Sequence, residues 1–224
     1  MAPATASGWI DPGIVAGFSA APPNHCLLDY ARQRRRGSEP LRVLDIGCGA
    51  GRNAVPLALS GATVVGTDLS LPMLRAAHDR DAEGRLQLAR APMHALPVRD
   101  GSIDLIVAHG IWNLARSAHE FRTAVAEAAR VAVPSAALFV FTFSRRTLTP
   151  DAAPIPGETF VFTQFSGEPQ VFLTLDQLLL ELHTAGFDPD PDWPFRELNL
   201  PPNGQVRVGG APVIYEAAFR KTGD

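Results

Sequence analysis

The sequence predicts an α/β chain: a mostly parallel sheet with helices on both faces and a ligand held at the end of its first strand. Three observations predict it. Short apolar runs alternate with helix-length segments, the pattern of a parallel sheet covered on both sides. The first run, Val43 to Ile46, passes at once into a loop with glycines at 47, 49 and 51. An acidic residue, Asp68, closes the second run about 20 residues further on, where ribose hydroxyls are bound in this topology.

The glycine loop organises the rest. Glycine lets the backbone turn sharply and approach a ligand that a Cβ would exclude. A dinucleotide fingerprint reads G-x-G-x-x-G, and its last glycine would fall at Arg52. This loop reads D-x-G-x-G-x-G instead, with Asp45 ahead of the first glycine, which suits a cationic, phosphate-free ligand. A nucleotide-cofactor oxidoreductase on a similar sheet stays as the alternative.

Composition narrows the class. The chain has 224 residues, 46% hydrophobic and 19% charged. That is one globular domain, or one with a lid. A net charge of −3 argues against a general nucleic-acid binder. Cys26 and Cys48 give neither a disulfide framework nor a zinc pattern, and no metal site is expected. No apolar run reaches membrane-spanning length, and the N-terminus lacks the pattern of a signal peptide, so a cytoplasmic enzyme is expected.

Taken in order, residues 1–13 are small and Pro- and Gly-containing, and are expected to be mobile. A turn at Pro22-Pro23 precedes a helix capped at Asn24, and Arg34-Arg35-Arg36 closes it as a solvated basic end. Arg52 to Ser60 is a helix stopped by Gly61, with Pro56 inside it. Thr63 to Thr67 is a strand. Ser70 caps a helix whose inner face is Met73, Leu74 and Ala77. Leu86–Arg90 and Ile103–Ala108 are strands. Ser117 and Glu120 form a capping box that opens a helix to Val131. A reverse turn at 131–135 leads to the strand Leu138–Phe143. The irregular stretch 144–170, punctuated by prolines and by Phe160, Phe162 and Phe165, reads as a lid or as a flap packing its own aromatics. Thr174 and Gln177 box the next helix, and Phe195–Leu200 and Val213–Phe219 are the last two strands.

The loop also carries a resemblance. Val43-Leu44-Asp45-Ile46-Gly47-Cys48-Gly49-Ala50-Gly51 is similar to the first motif of the class I S-adenosylmethionine-dependent methyltransferases. The resemblance runs from Leu41 to Phe143. Gly51-Arg52-Asn53 and the compact build are weakly similar to small bacterial enzymes of tellurite resistance and of thiol or thiopurine methylation. It implies a Rossmann-like sheet of seven strands with an antiparallel C-terminal hairpin, residues 1–40 as a lid and 41–224 as the catalytic domain. It also implies S-adenosylmethionine as cofactor, held by Asp45, Gly47, Cys48, Gly49, Asp68, Leu69, Pro92, Met93 and His109. Many members carry an acidic residue where Pro92 stands, so adenine recognition falls to the backbone at Met93.

The implied reaction is in-line methyl transfer to an O, S, N or other soft nucleophile of a small molecule, with a non-catalytic cofactor-binding protein as a further alternative. No N-P-P-Y or D-P-P-Y follows the fourth strand, which argues against nucleic-acid amines as acceptors. His109, at the carboxyl end of that strand, is the first candidate for a general base, because its unperturbed pKa lies near neutrality. Phe18, His25, Trp112 and Asn113 are candidates for the acceptor pocket, Trp112 fitting the core equally well.

Overall fold

In a computed structural model of the protein, residues 8–35, 37–200 and 210–223 are described. Residues 1–7 of the expected mobile N-terminus, and Arg36 of the basic run, lie outside them. Five parallel strands form the heart of the sheet: β1 (Arg42–Ile46), β2 (Thr63–Asp68), β3 (Leu86–Arg90), β4 (Ile103–His109) and β5 (Ala132–Phe143). A short ribbon pairs β6 (Val161–Phe162) with β7 (Gln170–Val171). Three antiparallel strands complete the large sheet: β8 (Phe187–Pro189), β9 (Arg196–Leu198) and β10 (Ile214–Lys221). The order is β3-β2-β1-β4-β5-β10-β8, with β9 also on β10. The sheet therefore has eight strands, not seven, because β8 and β9 each take a short stretch of the long β10. The order reverses between β1 and β4, and the crevice at such a switch point is where open α/β sheets bind ligands.

Helices cover both faces. On one, α5 (Ala118–Val131) and α6 (Leu175–Thr184) bury Phe121, Val125, Leu178 and Leu182. On the other lie α2 (His25–Arg34), α3 (Ala54–Leu59) and α4 (Leu71–Arg80), burying Leu27, Tyr30, Leu57 and Leu74. Pro56 is the third residue of α3 and costs no hydrogen bond, since amides of a first turn have no partner within the helix. Gly61 follows with φ of 92°.

Several local expectations need correction. A helix, α1 (Pro12–Ala20), stands where only a turn was expected. Asp11 nucleates it by accepting the amides of Gly13 and Ile14, with proline in the first turn. The turn at 131–135 is absorbed into β5, where Ser135 at φ 64° and a register shift against β4 take up the irregularity. The box at Ser117 is half-formed: Ser117 accepts the Glu120 amide, but Glu120 accepts from Arg116. The box at Thr174 is complete. Of the two readings of 144–170, the packed flap matches the burial. Phe160, Phe162 and Phe172 are buried, and their rings meet Phe121 and Phe143.

Candidate functional site

The site is built where β1 and β4 end. Side chains two residues apart on a strand share a face, and register partners share it too. Asp45 pairs with Val107, and His109, two residues on, pairs with Phe141. Phe141 pairs in turn with Glu216 of β10. His109, Phe141 and Glu216 thus form one row on the face covered by α2, at the ligand-bearing edge, with Asp45 on the same face one row behind it.

The glycine loop bends into that edge. Gly47, Gly49 and Gly51 all have positive φ, between 53° and 71°. A Cβ on Gly47 would stand 2.7 Å from the Ile111 side chain, whereas one on Gly49 would meet only open space. Asp68 fastens the loop: Oδ2 accepts the Gly49 amide at 2.9 Å, and Oδ1 accepts the Ser70 amide at 2.8 Å. Burial raises its carboxyl pKa, and those amides offset part of the rise. The Cys48 thiol is pushed well up by burial, then by Asp45 and Asp68, so it stays protonated.

Asp45 is 2% exposed and accepts no hydrogen bond among the described residues. Burial lifts its pKa to about 7, with Arg52 opposing and Asp68 reinforcing the rise. Arg52 lies beside His109, one guanidinium nitrogen 3.1 Å from Nδ1 and 3.3 Å from Nε2. His109 stacks on Phe141 with centroids 4.1 Å apart, and burial with the nearby Arg52 charge pushes its pKa down to about 3. Asn24, the N-cap of α2, closes the row. Its Oδ1 accepts the Leu27 amide, its own amide donates to Asn53 Oδ1 at 2.9 Å, and its Nδ2 donates to Glu216 at 2.7 Å and lies 3.1 Å from His109 Nε2.

Among the other expected residues, Leu69 is 58% exposed at the exit of β2, while Met93 is buried and Pro92 half-buried at the exit of β3. Trp112 is fully buried against Phe121 and belongs to the core, its other reading. Asn113 is buried, and its Oδ1 has no partner among the described residues. Phe18 packs on Trp9 in the N-terminal segment, and His25 is exposed. Arg52, Asn24, Asn53, Phe141 and Glu216 escaped the sequence argument. A charged residue inside the apolar run Ile214–Phe219 is the signal that marks Glu216, and the loop position of Arg52 marks that residue.

The glycine loop, strand order and β2 carboxylate agree with the comparison to known proteins. Residues 44–140 match the model of the methyltransferase domain. Over those residues, less than half of its length, the chain is similar to the class I S-adenosylmethionine-dependent methyltransferases. The ubiquinone/menaquinone biosynthesis C-methyltransferase UbiE of Syntrophotalea carbinolica is 39% identical over 111 residues, 47% of this chain and 45% of that protein. The chain spans less than half the length of the curated relatives it matches. Among solved structures, a methyltransferase from Methanosarcina mazei superposes with a TM-score of 0.63 at 22% identity, over 84% of this chain and 95% of its own, which shows the fold. The [4+2]-cyclase SpnF superposes at 0.59 with 25% identity, over 75% and 59%.

The domain's residues fit S-adenosylmethionine. The open face of Gly49 leaves room above the loop. Asp45 is a buried carboxylate without a donor among the described residues, as a ligand ammonium requires. Each Asp68 oxygen takes one amide and keeps further acceptor capacity for a hydroxyl. Leu69 offers an exposed apolar surface beside it.

Proposed function

We propose that the protein transfers a methyl group from S-adenosylmethionine to a small-molecule acceptor. The observation that carries this reading is Asp45, buried without a hydrogen-bond donor among the described residues, at the end of the strand that leads into the open glycine loop at Gly49. When bound, S-adenosylmethionine supplies an electrophilic methyl group on a sulfonium. The chain's own part is to bind, orient and exclude water. Asp45 would hold the amino-acid end of the cofactor and Asp68 its ribose, and the row His109–Phe141 forms a firm wall beside the loop. Orientation of this kind supplies several kcal/mol of barrier lowering, about 7–11 in ideal cases.

His109 serves that wall as a neutral ring. A nitrogen with a pKa near 3 is too weak to take a proton from a neutral hydroxyl efficiently. The acceptor this site favours is one already anionic or soft: a thiolate, an ionised phenol or an electron-rich ring carbon. The UbiE relative, a C-methyltransferase of ubiquinone/menaquinone biosynthesis, supports including the last. The cyclase with the same fold is a reminder that fold alone does not fix the reaction.

Release of S-adenosylhomocysteine against a panel of thiols, phenols, amines and hydroquinones tests the reading, with calorimetry against S-adenosylmethionine and NAD beside it. Binding of S-adenosylmethionine with turnover of a panel member is expected. Binding of NAD alone would return the chain to the oxidoreductase alternative, and cofactor binding without turnover would favour the non-catalytic one.

A further inference from the structure

Two opposite charges stand near each other at the inner end of the glycine loop, Asp45 buried and Arg52 half-buried, and among the described residues neither has an ion-pair partner. Asp45 accepts no hydrogen bond among the described residues. Arg52, half-buried, contacts only the uncharged His109 ring, and no described carboxylate lies within ion-pair reach of it. The two are close enough to feel each other's charge, yet they do not pair. A guanidinium withdrawn from water without an anion is costly, as is a lone carboxylate.

The His109 contact does not resolve this. A neutral imidazole has one acceptor nitrogen. One Arg52 nitrogen lies 3.1 Å from Nδ1 and 3.3 Å from Nε2, and Asn24 Nδ2 lies 3.1 Å from Nε2, so in either tautomer two donors compete for the single acceptor nitrogen. The hydrogen-bond partner that suits Arg52 is a planar anion, which its fork binds in bidentate fashion. A free anion is disfavoured, because Asp45, Asp68 and Glu216 line the same region. An anion that brings its own cation is not.

We propose that Arg52 is the carboxylate-binding residue of the site, taking the carboxylate of an α-amino-acid group whose ammonium sits at Asp45. The proposal rests on the methyltransferase reading and identifies which residue recognises the amino-acid end of the cofactor. Asp45 and Arg52 stay apart because the ligand's zwitterion completes both. Asn53, next in sequence, holds the Asn24 backbone and so keeps the cap of α2 over this end of the site.

The test is calorimetry with three probes. S-adenosylhomocysteine has amine and carboxylate, S-adenosyl-3-thiopropylamine lacks the carboxylate, and 5′-deoxy-5′-methylthioadenosine lacks both. The wild type should bind the first at least about tenfold more tightly than the second, the loss expected for a charged hydrogen-bond pair. Arg52→Gln should weaken S-adenosylhomocysteine by a similar factor and leave the other two within about twofold, so that the discrimination collapses. Arg52→Lys, which keeps the charge but not the fork, should recover part of it, and serves where Arg52→Gln does not fold. Equal weakening of all three probes, or none, overturns the proposal by making Arg52 a packing residue. A wild type that binds none of them fails at the earlier step and takes the methyltransferase reading down as well.

Discussion

Arg52 places one guanidinium nitrogen 3.1 Å from Nδ1 and 3.3 Å from Nε2 of His109. Burial already disfavours the charged imidazolium, and a cation beside the ring opposes protonation further. The residue best placed in the sequence to act as a base is thereby held neutral, and it contributes shape and stacking instead.

Removing the His109 ring should accordingly alter rate without altering pH dependence. His109→Gln is expected to lower kcat/KM by less than about a hundredfold, the lower end of what loss of an acid–base group costs. The pH profile between 6 and 9 should keep its form. Loss of an acidic limb from that profile in the variant would restore His109 as the base.

Asp45 sets a pH dependence of its own. Its folded pKa is raised from the usual carboxylate range to about 7, so its contribution to stability is full below the unfolded value, near 4, and is lost as pH rises through 7. Asp45→Asn should therefore match the wild type near pH 4 and melt several degrees higher at pH 8, since about 1 kcal/mol moves Tm by roughly 2–4 °C in a domain of this size. The ligand reverses the sign. A bound ammonium favours the ionised carboxylate, so S-adenosylhomocysteine binding at pH 6–7 should release a fraction of a proton. Calorimetry in buffers of different ionisation enthalpy measures that release, and Asp45→Asn should abolish it.

At Gly49 the open space and the positive φ act together. Gly49→Val should abolish S-adenosylhomocysteine binding while costing only about 1–2 kcal/mol of stability for a left-handed non-glycine residue. A folded variant with unchanged affinity would show that nothing binds above the loop.

Asp68 holds the loop as well as offering itself to a ligand. Asp68→Ala should weaken S-adenosylmethionine at least about tenfold, since hydrogen bonds to a charged group are each worth about 1.5–3 kcal/mol. A loss below twofold would leave Asp68 with the loop-fastening role alone.

The sheet and the cofactor loop were legible because they rest on local rules. Apolar runs, positive-φ glycines and the caps at Asn24, Ser70 and Thr174 are each decided by a few neighbours in sequence. The wall of the site was not, because Asn24, His109 and Glu216 meet across 85 and 192 residues of chain. Only the register of β4, β5 and β10 brings them together. Trp112 was ambiguous for the same reason: its burial depends on Phe121 of α5, which one-dimensional spacing does not reveal.

The N-terminal segment and the stretch 144–170 were both expected to close over the site, and their packing now separates them. The helix α1 buries no residue. It is tethered by Ser70 Oγ, which donates to the Trp9 carbonyl, and by Arg80, which donates to the carbonyls of Ser19 and Ala21. Ser70 adjoins Asp68, so the tether starts at the ligand-binding loop. A helix without a buried residue, held against α4 by a few hydrogen bonds and partly exposed side chains, opens at low cost. The stretch 144–170 is different, since opening it would expose Phe160, Val161 and Phe162, each fully burying roughly 1.5–3 kcal/mol of apolar side chain. Hydrogen exchange with and without S-adenosylhomocysteine should therefore show protection gained across residues 9–24 and little change at 160–172. Equal gains in both would make the flap part of the lid, and no gain at 9–24 would make α1 a static appendage, with closure supplied by α2 and its Asn24 cap.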